Sequence, residues 1–144
     1  MHQRSPRLLR DIATAAFAVL AVAVAAYAFA YLYVDHPPHN RFAARFAVSG
    51  LDVPAHFFGA GLALLLAPLQ LSATVRRRAP RVHRLGGWLS AGGILVSGIA
   101  ALSMALHTQG GAASGVALAM LAMAWLFCMG RGIQHIVNGD IAGH

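Results

Sequence analysis

Long apolar stretches alternate with short polar segments along this chain. Residues 12–34, 55–75, 85–106 and 112–129 hold no Asp, Glu, Lys or Arg, while the connecting segments carry all eleven arginines and all four aspartates. A helix rises about 1.5 Å per residue and a bilayer's hydrocarbon core is roughly 30 Å thick, so about 20 apolar residues suffice to cross it. Three stretches reach that length, and the fourth, with 18 residues, borrows from its flanks. A charged side chain at the centre of such a helix costs about 2.5–3.5 kcal/mol, which accounts for their exclusion. The pattern predicts an all-α membrane protein: four transmembrane helices in an up-down bundle, forming a single domain over residues 1–144.

Each span carries its own markers. The first ends in Tyr27, Tyr31 and Tyr33, where an interfacial aromatic belt belongs. His36-Pro37-Pro38-His39 then stops the helix, because proline lacks the amide donor. Arg41 with Arg45, and Phe42 with Phe46, repeat at i, i+4, which predicts a short amphipathic helix over about 40–48 on the outer surface. The second span opens near Pro54 and carries Pro68, expected to kink it and free a carbonyl near Leu64. Gln70 is placed to bond that freed backbone or a neighbouring helix. The third span presents Gly86, Ser90, Gly93, Ser97 and Ala101, a small-residue stripe that permits close helix approach and predicts a central position. The methionines of the fourth, Met120, Met123 and Met129, are adaptable packing rather than metal ligands.

Composition agrees with the pattern: 58% of residues are hydrophobic, 10% are charged, and the mean hydropathy is +0.64, whereas soluble domains are about a quarter charged. The net charge of +7 reads as orientation, not nucleic-acid binding. Arg4, Arg7 and Arg10 precede span one, Arg76, Arg77, Arg78, Arg81 and Arg84 separate spans two and three, and Arg131 follows span four. Only Arg41 and Arg45 fall in the other loops, so the positive-inside rule puts both termini and the middle loop in the cytoplasm, across a bacterial inner membrane. Span one is too long for a signal-peptide core and lacks a clear cleavage site, which makes it a retained anchor. The single Cys128 allows no intramolecular disulfide.

Eight histidines are many for 144 residues, and four fall at span ends. His56 and His107 share the outer side, and His83 and His135 share the inner side. Such pairs are a candidate arrangement for two b-type haems, since imidazoles from two helices can ligate one iron axially. The competing reading is that histidines at helix ends reach water with their polar tips. No zinc-site spacing, phosphate-binding glycine loop, nucleophile–base arrangement or paired carboxylate is present in the sequence.

From His56 onward, His56-Phe57-Phe58-Gly59, Ala67-Pro68-Leu69-Gln70, Arg76 to Arg78, Pro80-Arg81-Val82-His83-Arg84-Leu85-Gly86 and Gly139-Asp140-Ile141-Ala142-Gly143-His144 follow in order. This series resembles a family of bacterial multi-pass membrane proteins catalogued only as a domain of unknown function, over roughly the last 90 residues. The resemblance implies a helical membrane domain and no particular activity. Members of that family continue past the last element with at least one more helix, so this chain is expected to be a short form or to receive that helix from a partner. His83 and Gly86 also give a weaker likeness to two-haem cytochromes.

Two function classes follow. The first is a small accessory subunit that packs against other membrane helices, or against itself, within a larger assembly. The second is electron transfer through haem b held by His56/His107 and His83/His135.

Overall fold

The computed structural model describes residues 4–34 and 50–139, and the expected surface helix over 40–48 lies outside them, as do the last five residues. Four long helices run antiparallel in succession: α1 (Arg4–Tyr33), α2 (Asp52–Leu71), α4 (Pro80–His107) and α5 (Ala112–Val137), with a short α3 (Ala73–Arg78) between α2 and α4. All four long helices are long and apolar enough to cross a membrane. The all-α membrane architecture expected from the apolar pattern is therefore present. Successive antiparallel helices put the start of α1, the α3 segment and the end of α5 on one side, here the arginine side. The loop between α4 and α5 and the start of α2 lie on the far side.

Local chemistry sets the helix boundaries. Asp52 falls in the first turn of α2, where a carboxylate favours the helix dipole, and Pro54 follows where no amide is needed. The second apolar stretch was expected to run to residue 75, but α2 stops at Leu71. Ser72 turns extended and caps the next helix, its hydroxyl accepting from the Val75 amide at 3.3 Å. Side-chain capping thus ends the span one turn early, and the apolar character of Ala73 and Val75 does not override it. Pro68 lies inside α2. Pro80 opens α4 in its first turn. Gly111 caps the start of α5 with φ 85°, a backbone region that suits glycine.

The helices pack chiefly as a row in chain order, α1 on α2, α2 on α4 and α4 on α5, with the α2–α4 seam the most extensive. The expected central position of the third span holds, and it is shared with α2. Only small residues and one methionine are deeply buried: Ala21, Ala25 and Ala28 on α1, Ala63 on α2, Ser97, Ala100, Ala101 and Met104 on α4, and Ala122 on α5. Among the described residues no large side chain is completely enclosed. This is the packing of a membrane bundle, in which small residues bring backbones together and large apolar side chains face lipid.

Candidate functional site

Two glycines set the geometry of the α2–α4 seam. A Cβ at Gly59 would meet the Gly93 carbonyl oxygen at 2.5 Å, and one at Gly93 would meet the Gly59 carbonyl oxygen at 2.7 Å. The backbones touch there because neither residue has a side chain. One turn before Gly59, His56 reaches α4: its Nδ1 is 3.1 Å from both the backbone oxygen and the hydroxyl oxygen of Ser97. A carbonyl can only accept, so the contact requires the proton on Nδ1. A neutral ring then keeps a lone pair on Nε2, and among the described residues no hydrogen bond engages that atom. Nearer the far end, the Ser103 hydroxyl donates to Asp52 Oδ2 at 2.6 Å, a second polar tie across the same seam.

Beside the His56–Ser97 pair the four long helices line a half-open cavity of about 330 Å³. Phe57 and Leu64 line it from α2, Ile94 and Ala101 from α4, Leu121 and Trp125 from α5, and Val24 and Tyr27 from α1. Phe57 is fixed by stacking on Tyr31, with centroids 4.2 Å apart and planes within 9°, and by an edge contact with His56. Along α4 the lining runs from Ile94 to Ala101, about 10 Å at the helical rise. The cavity therefore occupies the far half of the bundle at membrane depth.

The arginine side of the seam differs. Gln70 packs its Nε2 against Gly86, in the space a Cβ would fill, and its Oε1 lies 3.4 Å from the corresponding position of Gly87. Gln70 Nε2, His83 Nδ1 and Ser90 Oγ are all buried without a hydrogen-bond partner. His83, Gly86, Gly87 and Ser90 follow i, i+3, i+4, i+7, one face of α4. Gln70 thus packs against the neighbouring helix, but its Nε2 bonds neither that helix nor the freed backbone among the described residues. The sequence carried this cluster in the small-residue stripe and the motif around Pro68, but not the juxtaposition of its polar groups.

His56 and His107 do not come together. His56 is level with Ser97, whereas His107 is ten residues further along α4, about 15 Å at the helical rise, and bonds its own helix through the Ser103 carbonyl at 2.8 Å. His83 lies near the start of α4, its Nδ1 buried without a hydrogen-bond partner. His135 is on α5, whose seam with α4 runs along Gly98, packed by Leu126, and along Ala105, packed by Gly115. The stripe Gly86, Ser90, Gly93, Ser97 and Ala101 faces inward toward α2 and the cavity, so it is occupied within the chain.

No curated protein and no solved structure matches the chain. A family model described as "Predicted membrane protein (DUF2306)" matches residues 53–144, from the first turn of α2 to the last residue, a stretch that takes in His56, Pro68, Gln70, the α3 arginines and His83. The chain belongs to that family of membrane proteins.

Proposed function

We propose that this protein is a small accessory subunit of the cytoplasmic membrane that packs α5 against another membrane helix. The supporting observation is a stripe on α5 opposite its seam with α4. Ala113, Ala117, Met120, Ala124 and Cys128 fall on one face and are exposed, Met120 at 62%. A helix face that meets only lipid has no need of small residues, whereas close helix pairing does, and a methionine between alanines adapts to a partner's shape. α1 and α5 are the two ends of the packed row, so this face is unobstructed by the described part of the chain. The arginine excess at the ends of α1 and α5 and along α3 supports a cytoplasmic orientation for that side.

A photoreactive phenylalanine placed at Ala117 tests the reading in intact membranes, with Val96, an exposed position on α4, as the control. Expected is a discrete protein adduct from position 117 and lipid adducts alone from position 96. Lipid adducts alone from both positions would overturn the proposal. A bis-maleimide acting at Cys128, the single cysteine, separates self-association from pairing with a different subunit.

A further inference from the structure

We infer that the four-helix cavity is a binding site for a lipid-soluble alcohol or phenol, whose hydroxyl donates to Nε2 of His56. This inference is independent of any protein partner of α5. Its basis is the hydrogen-bond arithmetic of one ring. Nδ1 is committed as a donor to the Ser97 carbonyl, which leaves Nε2 as an acceptor on a side chain lining a nearly apolar cavity. An occupant must therefore bring a donor and be apolar elsewhere.

The volume and lining narrow the choice. About 330 Å³ falls in the range that holds small ligands, roughly 300–1,000 Å³, and an apolar lining with few polar groups is the usual character of such sites. Water is disfavoured, because a buried water needs two to four polar partners. Apart from the His56–Ser97 pair, the polar tips in the lining belong to Tyr27 and Trp125, which are 60% and 44% exposed. An acyl chain fills the space and leaves Nε2 without a partner. An apolar molecule with one hydroxyl fills it and satisfies the ring.

Trp125 provides the readout. The chain has two tryptophans, and the other, Trp88, is 61% exposed on α4 and does not line the cavity. The full chain in lipid nanodiscs is titrated with an alkylphenol carrying bromine on its chain, which quenches tryptophan on contact, and separately with its methyl ether, which cannot donate. In Trp88→Phe protein the phenol is expected to quench Trp125 saturably. The ether is expected to bind about two- to tenfold more weakly, the weight of one neutral hydrogen bond. In Trp125→Phe protein quenching should rise linearly without saturation. His56→Ala should bind phenol and ether alike.

Ala60→Leu leaves His56 in place and adds bulk to the lining, and it should abolish saturation. Linear quenching of Trp125 by the phenol, indicating a slot filled by acyl chains, overturns the inference. Equal binding of phenol and ether by protein that retains His56 also overturns it, as does discrimination that survives in His56→Ala.

Discussion

On the far side, the α2–α4 seam joins Asp52 to Ser103 and His56 to Ser97, and a cavity opens beside the second pair. On the arginine side the same two helices press Gln70 into the space above Gly86, and three buried polar atoms lack partners. Both regions rely on glycines to bring a polar side chain into a helix groove. In the first the side chain finds a carbonyl or a hydroxyl, so it acts through a directed bond. In the second the amide substitutes for the missing Cβ, so it acts through shape. The difference separates polar residues that tie helices together from polar residues that set how closely they approach.

The glycine contact that both regions share should give the largest effect when altered. In Gly59→Ala the new methyl meets the Gly93 carbonyl oxygen, a backbone atom that cannot turn aside, so the helices must separate. A loss of about 1–3 kcal/mol is expected, the ordinary cost of overpacking. Gly92→Ala is the matched control, because nothing lies within 4 Å of that position. Its outcome should be neutral, or stabilising by up to about 1 kcal/mol through helix propensity. Thermal unfolding in detergent distinguishes the two, and equal melting temperatures would remove the seam from its central place.

The far-side tie comes next. Asp52→Ala and Ser103→Ala should each cost about 1 kcal/mol, near the values found for hydrogen bonds between membrane helices. The double variant should cost less than the sum of the two. Strict additivity in the cycle would mean that the 2.6 Å contact contributes nothing to stability. Gln70→Met should do the opposite on the arginine side. It keeps the bulk over Gly86 and removes a buried donor without a partner, so stability is expected to hold or rise slightly. A drop as large as that of Asp52→Ala would erase the distinction between the two regions.

The spans were legible because lipid imposes one strong rule, the exclusion of charge over some 20 residues, and the four apolar stretches obey it. The end of α2 was not, because one hydroxyl at Ser72 decided it against an apolar background. The small-residue stripe of α4 announced close packing but not its partner, since Gly93 would fit any helix equally well until Gly59 is seen against it. His56 was singled out for its place at a span end. Its actual partner is a backbone carbonyl and a hydroxyl 41 residues away, and periodicity carries no information about that distance.

The smallest expected effect is no visible colour at all, and it bears on both regions together. Two haems would need His56 with His107 on the far side and His83 with His135 on the arginine side, yet the first pair is separated by about 15 Å along α4. Ligation through Nε2 would also require an iron where the lining beside His56 is nearly all hydrocarbon, with no second imidazole in that lining among the described residues. The purified protein in mild detergent should therefore lack a dithionite-sensitive band. A band lost in His56→Ala would put an iron in the cavity and replace the hydroxyl ligand. A band lost in His83→Ala and kept in His56→Ala would give the unpartnered arginine-side cluster a chemical task and reverse the roles of the two regions.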